Sequence, residues 1–421
     1  MSSKTKTTAT KEEAKPAPVP KLRFPEFRGK PGWEPKRLGL TLRFQAGFPF
    51  PSSGFNDAGK GLRLIRNRDL RSDDIVKFYS DDFDSSFVVN NGDVLVGMDG
   101  DFTPTVWEKG EALLNQRVGR ILPRGGNDHR FLLYLLTLCL KGIEEATART
   151  TVKHLSHSAV EDKHEPLPSP AEQQKIAECL SSVDELMAAQ TRKVDALKTH
   201  KKGLMQQLFP REGETQPRLR FPEFQNAGDW EETRLGRMGE LVSGLTYSPD
   251  DVRESGLLVL RSSNVQQEKI TLDDCVYVDP SVKGANLSQP NDILICVRNG
   301  SKALIGKCAL IPEGMPLCTH GAFMTVFRAK TPSFVFQLFQ SDRYQKQVAG
   351  DLGATINSIN GGQFLKYTFF VPKPPEQERI AACMSSIDAL ITAETQKHEA
   401  LKTHKKGLMQ QLFPSPEQRT T

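Results

Sequence analysis

The chain has 421 residues, of which 38% are apolar and 25% are charged, which leaves room for roughly two to four folded domains at about 100–200 residues each. Its 56 Lys and Arg residues against 51 Asp and Glu give a net charge of +5, which permits a polyanionic partner without requiring one. No apolar run reaches the roughly 18 residues of a membrane-spanning helix, and the seven cysteines are scattered without a CxxC pair. The sequence therefore argues against a membrane-embedded chain, a disulfide-stapled scaffold and a zinc site.

The sequence predicts a succession of globular and helical segments. Its start is rich in Lys, Thr, Ala and Pro and lacks the apolar core of a secretory signal, so we expect it to be disordered and the protein to be cytoplasmic. In chain order the predicted segments are a disordered leader (1–20), a first globular domain (21–169), a first long helix (170–210), a linker with a second globular domain (211–373), a second long helix (374–414) and a tail (415–421).

An internal duplication organises the chain. The sequence Leu-Arg-Phe-Pro-Glu-Phe returns after its first occurrence with a shift of 197 residues, and Trp33 returns as Trp230 with the same shift. The segments 170–210 and 374–414 agree at 28 of 41 positions, and their last 15 residues are identical. A period of about 200 residues is too long for a solenoid repeat, so each repeat is a domain followed by an arm.

Each globular region is predicted to be an α+β domain. Short runs of apolar and β-branched residues, such as 94–96, 257–260 and 293–297, are separated by Gly, Pro, Asn and Asp. Residues 131–140 and 333–340 have the composition and spacing of helices. The predicted fold class is therefore α+β, with two globular domains in tandem repeat.

The two arms are predicted to be long helices that pair with each other. Each begins with Pro in its first turn followed by Glu and Gln, which is a favourable helix start. Apolar residues then recur over about five heptads, as in a coiled coil. We expect antiparallel pairing with Gln190 opposite Glu394 near the centre; the alternative is that each helix packs onto its own domain. The predicted interface positions are Ile176, Val183, Gln190, Leu197, Leu204, Ile380, Ile387, Glu394, Leu401 and Leu408.

Sequence patterns of catalysis are weak. Residues 300–308 resemble a phosphate-binding loop, but five residues instead of four separate its glycines, and Cys308 stands where a Ser or Thr would bind magnesium. Residues 161–163 fit the end of a nuclease motif but have no convincing partner acid before them. The three histidines between positions 154 and 164 lack a diagnostic metal-ligand spacing. We therefore predict no catalytic residue and no metal site.

Polar side chains suited to nucleic-acid contact concentrate in loops of each repeat. Arg forks bind guanine or phosphate, and Asn binds adenine, through paired hydrogen bonds. The loops stand at matching places in the two repeats but carry different residues, as two sites of one kind with different specificities would; the alternative is that they are ordinary solvated loops. The candidate DNA-binding residues are Arg63, Arg66, Asn67, Arg68, Arg71, Lys153, Arg261, Ser262, Ser263, Asn264, Arg298, Asn299, Lys302, His320, Asn357 and Asn360.

With these features the chain resembles the specificity (S) subunit of type I DNA restriction–modification enzymes. The resemblance rests on the domain openings at Trp33 and Trp230, on the Asp-Val/Ile-Leu strands at Asp93 and Asp292, and on the Pro-x-Glu-Gln starts of the arms. The most specific part is the arm ending Lys-Lys-Gly-Leu-Met-Gln-Gln-Leu-Phe. The resemblance covers nearly everything from residue 21 to residue 414, and the long leader is a departure from it.

The resemblance implies that each domain is a target recognition domain for one half of a bipartite, asymmetric site in double-stranded DNA, and that the subunit itself catalyses nothing. The paired arms would set the gap between the half-sites and dock two methyltransferase (M) subunits, which motor–nuclease (R) subunits then join. No cofactor is expected on this chain, whereas S-adenosylmethionine, ATP and magnesium are expected on the partners. From the residues alone, a non-catalytic coiled-coil adaptor for two protein ligands and a nuclease with an unrecognised site stay open.

Overall fold

The computed structural model describes residues 17–147, 154–352 and 357–419. The chain divides into two compact units: unit 1 is Met1–Ala189 with Lys397–Thr421, and unit 2 is Gln190–Gln396. Both boundaries fall inside a long helix, so the units cut across the predicted segments, which separate the domains from the arms. The physical reason is that each half of a long helix buries its apolar side chains in a different unit.

The strands of unit 1 are short and form three sheets within the described residues. Their orders are β1-β11, β2-β10-β7-β8 and β3-β5-β4-β9-β6. The strands are β1 (Glu34–Arg37), β2 (Leu42–Ala46), β3 (Phe55–Asn56), β4 (Leu62–Ile65), β5 (Lys77–Tyr79), β6 (Val88–Val89), β7 (Val94–Gly97), β8 (Thr105–Val106), β9 (Ala112–Leu114), β10 (Val118–Pro123) and β11 (His164–Leu167).

Unit 2 repeats this plan and adds a small hairpin. Its sheet orders are β12-β23, β13-β22-β19-β20, β14-β18-β15-β21 and the hairpin β16-β17. The strands are β12 (Glu231–Arg234), β13 (Gly239–Ser243), β14 (Val252–Arg253), β15 (Leu257–Leu260), β16 (Val265–Gln266), β17 (Lys269–Ile270), β18 (Val276–Val278), β19 (Ile293–Cys296), β20 (Cys308–Leu310), β21 (Cys318–His320), β22 (Met324–Ala329) and β23 (Thr368–Val371).

The helices confirm the predicted α+β architecture with two long arms. They are α1 (His129–Thr147), α2 (His157–Glu161), α3 (Pro170–Leu208), α4 (Leu235–Met238), α5 (Pro332–Phe339), α6 (Asp342–Asp351), α7 (Gly361–Phe364), α8 (Pro374–Leu412) and α9 (Pro416–Arg419). The arms α3 and α8 have 39 residues each and begin at the predicted prolines. In the described part of the chain no helix is both long and apolar enough to cross a membrane.

In unit 2 the second half of α3 runs antiparallel to the first half of α8. At the beginning of this pair, Gln190 Nε2 donates to Glu394 Oε2 at 2.6 Å. Farther along, Lys201 Nζ lies 2.7 Å from Asp388 Oδ1, so the residue number falls on α8 as it rises on α3. The predicted antiparallel pairing is confirmed, and two polar side chains satisfy each other where an apolar seam would otherwise leave them unpaired.

Unit 1 contains the complementary pair, the first half of α3 with the second half of α8. Lys405 Nζ lies 2.6 Å from Asp184 Oδ1, and Leu412 shares a core with Ile176 and Leu180. Of the predicted interface positions, the buried ones are Ile176, Val183, Ile380, Ile387 and Glu394, and the half-buried ones are Gln190, Leu197, Leu204, Leu401 and Leu408.

An ion pair fixes the beginning of each arm to its domain. Arg23 Nε and Nη2 donate to the two carboxylate oxygens of Glu172 at 2.7 and 2.8 Å, and the Trp33 indole N–H donates to the same carboxylate at 3.3 Å. Only 2% of the Glu172 side chain is exposed. In the second repeat Arg220 Nε and Nη2 donate to the two carboxylate oxygens of Glu376 at 2.7 Å each, and the Trp230 indole N–H donates to the same carboxylate at 3.3 Å. The Glu of the Pro-x-Glu-Gln motif thus supplies the carboxylate that joins the start of the arm to the start of its domain.

The end of each arm completes the core of the unit in which it lies. In unit 1 the Phe413 ring, which follows α8, stacks on Phe131 at 5.4 Å between centroids and meets Trp33 edge-on at 6.0 Å. In unit 2 Phe209, which follows α3, makes the same contacts with Phe334 and Trp230 at 5.8 and 6.3 Å. Each arm therefore packs on its own domain at its beginning, pairs with the other arm and packs on the other domain at its end.

The end of the predicted disordered leader is ordered. Residues 1–16 lie outside the described part of the chain, but residues 17–20 pack against the domain opening. The Trp33 N–H donates to the Pro18 carbonyl at 2.8 Å, and Pro18 is buried. The prediction of disorder is therefore wrong for residues 17–20, because a main-chain hydrogen bond and a buried proline hold them to Trp33.

We expect Arg23→Ala to destabilise unit 1 by about 3–5 kcal/mol, because it leaves the Glu172 carboxylate buried and unpaired. The measurement is denaturant unfolding followed by tryptophan fluorescence. Arg28→Ala is the matched control, since Arg28 is exposed and its Nε makes only a 3.3 Å bond to the Arg23 carbonyl. Arg23→Ala combined with Glu172→Met should recover part of the loss. Equal stability of Arg23→Ala and Arg28→Ala would contradict a structural role for the pair.

Candidate nucleic-acid interface

Four loops that are distant in sequence meet in unit 2. We call residues 261–263, 297–301, 321–323 and 357–360 loop cluster 2. The N–H groups of Val297 and Arg298 both donate to the Phe323 carbonyl, at 3.0 and 3.1 Å, and the Ile359 N–H donates to the Val297 carbonyl at 2.8 Å. These main-chain bonds hold the loops in one place, and they leave the side chains to differ.

Unit 1 contains the equivalent arrangement. Loop cluster 1 comprises residues 66–68, 98–101, 115–117 and 154–157. Its Met98 N–H donates to the Arg117 carbonyl at 2.8 Å, and its Leu155 N–H donates to the Met98 carbonyl at 2.7 Å. The bonding pattern matches Asp99 with Arg298, Arg117 with Phe323 and His154 with Ser358, and the isolated bridges Asp99–His154 and Arg298–Ser358 agree with this match.

A close backbone crossing shapes both clusters. A Cβ at Gly47 would lie 2.0 Å from the Asn115 carbonyl oxygen, and a Cβ at Gly244 would lie 2.2 Å from the Gly321 carbonyl oxygen. Because glycine has no side chain, the segment after β2 can cross closely over the turn at Asn115, and the segment after β13 can cross closely over the turn at Gly321. The turn in unit 1 also places Arg117 at φ 71°, a left-handed conformation that is uncommon for a residue with a side chain.

Two of the candidate arginines in unit 1 are held by internal partners. Arg63 forms an ion pair with Asp73, and its guanidinium lies over the Trp107 ring at 5.0 Å. Arg66 Nε and Nη2 donate to the buried Asp69 carboxylate at 2.8 and 2.9 Å. The hydrogen bond with Asp69 raises the pKa of Arg66 against the opposing effect of burial. Both arginines support the fold of the loop, and their forks are largely occupied.

The other candidates of this segment differ in how freely they face solvent. Asn67 Nδ2 donates to the Asp99 carbonyl at 2.9 Å and so ties two loops together. Arg71 forms an ion pair with Asp101 while 63% of its side chain is exposed. Arg68 is exposed, and its guanidinium has no hydrogen-bond or ion-pair partner among residues 17–147, 154–352 and 357–419. Lys153, the remaining candidate of this repeat, lies outside the described residues.

The counterpart segment in unit 2 is partly interior. Asn264 is fully buried, and its Nδ2 donates to the carbonyls of Thr271 and Asp274 at 2.9 and 3.0 Å. Its Oδ1 accepts from the Arg261 N–H at 2.8 Å. Every polar group of Asn264 is used inside the protein, so its position does not suit the predicted DNA contact. Arg261 Nη2 pairs with the Asp274 carboxylate at 2.7 Å and remains partly exposed.

The serine and asparagine candidates join the loops of cluster 2. Asn299 Nδ2 donates to Ser262 Oγ at 3.1 Å, which links the first loop to the second. Asn357 Nδ2 donates to the Gly300 carbonyl at 3.3 Å, which links the second loop to the fourth. Ser263 is exposed beside them. These residues lie at the predicted surface, where they remain candidates for DNA contact.

Of the four remaining candidates, Arg298 and Lys302 are exposed. The guanidinium of Arg298 lies 5.9 Å from the centroid of the Phe323 ring, and the Arg298 side chain is exposed without a hydrogen-bond or ion-pair partner among the described residues. Lys302 is exposed at the start of a short 3-10 turn. Asn360 caps α7 by accepting a hydrogen bond from the Gln363 N–H at 3.2 Å, so part of its side chain serves the helix.

His320 is a core residue. It is fully buried on β21, its Nε2 lies 2.9 Å from the Val242 carbonyl oxygen and its Nδ1 lies 3.1 Å from Ser288 Oγ. Burial lowers the pKa of His320. A neutral ring with both nitrogens occupied has nothing to offer to DNA, so the structure does not support the predicted role. Its equivalent in unit 1 is the buried Leu114, which shows that this position belongs to the interior.

The sequence reasoning missed two residues of the clusters and gave too little weight to two others. Phe323 and Arg117 stand at the tips of equivalent turns, and Asp99 and His154 lie beside Arg117. Arg117 Nη1 and His154 Nδ1 lie 2.8 and 2.9 Å from the two oxygens of Asp99. Burial raises the pKa of Asp99, but the hydrogen bonds from His154 and Arg117 outweigh it and lower the pKa. An alignment of the two repeats around Gly47 and Gly244 would have found these turns.

A search for metal-binding geometry gives no site in the described part of the chain. No group of three or more His, Cys, Asp or Glu residues is placed to hold a metal ion there. Of the three histidines of residues 154–164, His154 forms a hydrogen bond with Asp99 at 2.9 Å.

Comparison with known proteins gives one family. The sequence model described as the type I restriction modification DNA specificity domain matches residues 31–199 and 227–403. The type I restriction enzyme EcoBI specificity subunit of Escherichia coli is 29% identical over 293 residues, which are 63% of this chain and 60% of that protein. The MjaVIII specificity subunit of Methanocaldococcus jannaschii is 24% identical over 404 residues, which are 93% of each chain. The chain thus spans less than two thirds of the first relative and nearly all of the second.

Solved structures show the same fold. The crystal structure of a type I restriction–modification system S subunit from M. genitalium has a TM-score of 0.61 at 15% identity and covers 94% of this chain and 99% of that chain. A chain from a structure described as the basis of complex assembly and conformational transition of the type I R-M system has a TM-score of 0.52 at 17% identity and covers 91% of this chain and 98% of that one. At these identities the likeness concerns the fold.

We expect the stability of unit 2 to fall as the pH drops below about 6.5, because the unfolded chain binds a proton at His320 that the folded chain excludes. The loss is at most about 1.4 kcal/mol per pH unit for this one group. His320→Asn should reduce it, whereas His200→Asn, on the exposed face of α3, should not. Urea midpoints at pH 7.5 and pH 5.5 measure the effect. The same pH dependence in wild type and His320→Asn would contradict it.

Proposed function

The chain belongs to the family of type I restriction–modification DNA specificity subunits, whose role is DNA target recognition, and from this premise we propose that it reads a bipartite, asymmetric DNA site. Each unit reads one half of the site through its loop cluster. The chain also docks the methyltransferase subunits that modify the DNA, and the motor–nuclease subunits join them to restrict it. S-adenosylmethionine, ATP and magnesium belong to those partners in this proposal.

The observation that carries the proposal is the equivalence of the two loop clusters. The same main-chain hydrogen bonds hold both, at 2.8 Å for Met98 N–H to the Arg117 carbonyl and 3.0 Å for Val297 N–H to the Phe323 carbonyl. The side chains at the matching places have different chemistry, since the carboxylate of Asp99 corresponds to the guanidinium of Arg298. Two loop clusters with the same main-chain structure but different side chains fit the recognition of two different half-sites by one chain.

The arms supply the argument for two copies of one partner. Packing explains why the buried positions of the repeated 15-residue ending match, but it does not require the exposed ones to match. The exposed side chains are nevertheless identical in the two arms: Lys198 and Lys402, Thr199 and Thr403, His200 and His404, Lys202 and Lys406, Gln206 and Gln410, and Gln207 and Gln411. Two identical surfaces fit two copies of the same protein, which we infer to be the methyltransferase subunit.

Unit 2 also has a large cavity beside its arm pair. Its volume is about 1630 Å³, and its walls combine apolar side chains such as Met205 and Phe336 with charged ones such as Lys198 and Arg343. This cavity lies along the arms, away from loop cluster 2. A mixed apolar and charged groove of this size suits a protein segment better than DNA bases, and so it supports partner docking on the arms.

The proposal is tested with the full chain and its methyltransferase partner on DNA of random sequence. We expect methylation at a motif with two different halves and a gap of fixed length, and we expect salt-sensitive DNA binding by the complex. A complex that does not bind DNA would favour the coiled-coil adaptor. Cleavage of DNA by the isolated chain with magnesium would favour the nuclease.

We expect Arg68→Ala to weaken recognition of the half-site read by unit 1. A bidentate contact to a base would be worth about 1–3 kcal/mol of discrimination at one position of the motif. A phosphate contact would instead weaken binding to all sequences and reduce the salt slope by about one. Competition binding with single-base variants of the motif at two salt concentrations separates these results. Arg28→Ala is the matched control, and no change in either variant would remove Arg68 from the interface.

We expect the length of the arms to determine the number of base pairs between the two half-sites. A four-residue insertion after Ala189 adds about 6 Å to α3, or one to two base pairs of DNA, and should lengthen the gap by that amount while both half-sites stay the same. The same insertion after Gly213, in the exposed linker that follows α3, should leave the gap unchanged. Mapping of methylated sites measures both. An unchanged gap after the Ala189 insertion would show that the methyltransferase subunits set the distance.

A further inference from the structure

We propose that Arg298 and Phe323 form one base-contact pair that determines the sequence read by unit 2. Arg298 reads a guanine, and Phe323 packs against the methyl group of a neighbouring thymine. The inference rests on the proposed function and adds to it the residues and the base chemistry of one half-site.

The aromatic ring of Phe323 is exposed where burial would be expected. Phe323 is 58% exposed although it lies in the short turn between β21 and β22, directly before β22. Its carbonyl accepts hydrogen bonds from the N–H groups of Val297 and Arg298, at 3.0 and 3.1 Å, so the main chain that carries the ring is fixed. Exposure of a large apolar side chain to water is unfavourable, and its contact with an apolar group of a ligand is favourable.

The neighbouring guanidinium of Arg298 is oriented by the ring, and its N–H groups have no partner among the described residues. Arg298 Cζ lies 5.9 Å from the Phe323 ring centroid, close enough for a cation–π contact that orients the side chain. No carboxylate or carbonyl among the described residues occupies its N–H groups. Four of the other five candidate arginines, Arg261, Arg63, Arg66 and Arg71, each pair with an Asp, and Arg68 of unit 1 shares the unpaired state of Arg298 among the described residues. An oriented fork with free donors fits the O6 and N7 acceptors of guanine.

The two equivalent positions in unit 1 carry side chains of different chemistry. Asp99 and Arg117 occupy the positions of Arg298 and Phe323, and Arg117 Nη1 lies 2.8 Å from Asp99 Oδ2. In unit 1 the guanidinium therefore stands at the tip of the turn instead of in the loop, a carboxylate takes its place in the loop, and neither position carries an aromatic ring. A pair that is in contact in both repeats and differs in both members is the arrangement expected where the two units read different bases.

The combination of a guanidinium and an apolar ring also narrows the ligand. Phosphate contacts need only positive charge or N–H donors and gain nothing from an exposed ring. In the major groove a guanine edge offers two acceptors, and an adjacent thymine offers a methyl group to an aromatic side chain. The pair therefore fits a G–T step, in either strand direction, better than it fits the DNA backbone.

The test compares methylated motifs made by the full chain with its methyltransferase partner on random-sequence DNA. Arg298→Ala should relax one position of one half-site, lowering the preference for guanine about 5- to 150-fold. Phe323→Ala should relax the adjacent position, and Phe323→Leu should retain part of the thymine preference because it keeps an apolar contact. The other half-site should stay unchanged in all three variants, while Arg117→Ala should affect only that other half.

Two matched controls come from unit 2. Leu317→Ala removes a side chain that is 63% exposed at the opposite end of β21, and Arg237→Ala removes an exposed guanidinium on α4; neither should alter the motif. Motifs of Arg298→Ala and Phe323→Ala identical to wild type, or a uniform loss over all sequences with a shallower salt slope, would overturn the inference. A wild-type complex without a bipartite motif would instead overturn the proposed function. Thermal midpoints equal to wild type show that the variants are folded.

Discussion

The structure depends on the completion of each unit's core by the end of an arm. Phe413 fills unit 1 between Phe131 and Trp33, at centroid distances of 5.4 and 6.0 Å, and Phe209 does the same in unit 2. Phe413 and Phe209 each follow the last residue of a 39-residue helix, so each core requires the closing half of a helix that begins in the other unit. The antiparallel course of the arms within each unit follows from this requirement.

A buried carboxylate fixes the opposite end of each arm. Glu172 is 2% exposed and takes hydrogen bonds from Arg23 and the Trp33 indole, and Glu376 stands in the same place in unit 2. An unpaired carboxylate at this depth would cost several kcal/mol, so the arm cannot shift or rotate without breaking the pair. In each unit the helices are held in this way, so the loops of that unit are free to differ in chemistry without altering the helix packing.

Some polar residues in the candidate loops form internal hydrogen bonds that hold the fold, and others face solvent. Residue type alone did not distinguish these two roles. Asn264 looks like a donor for adenine, yet its Oδ1 accepts from the Arg261 N–H and its Nδ2 donates to the Thr271 carbonyl. Its equivalent, Asp69, performs the same task for Arg66. His320 lies at a position that holds Leu114 in the other repeat, and its burial was invisible because one polar residue in a short β-strand has no periodicity of its own.

The sequence by itself determined the duplication, the α+β class, the start of both long helices at Pro170 and Pro374 and the pairing of Gln190 with Glu394, because these follow from local patterns and from comparison of one repeat with the other. Tertiary structure alone decided which arm half belongs to which unit and which polar side chains reach solvent. Phe323 and Arg298 are 25 positions apart in the chain, and only the hydrogen bonds between β-strand ends bring them together. Burial and contact of this kind depend on long-range packing, which no short sequence window contains.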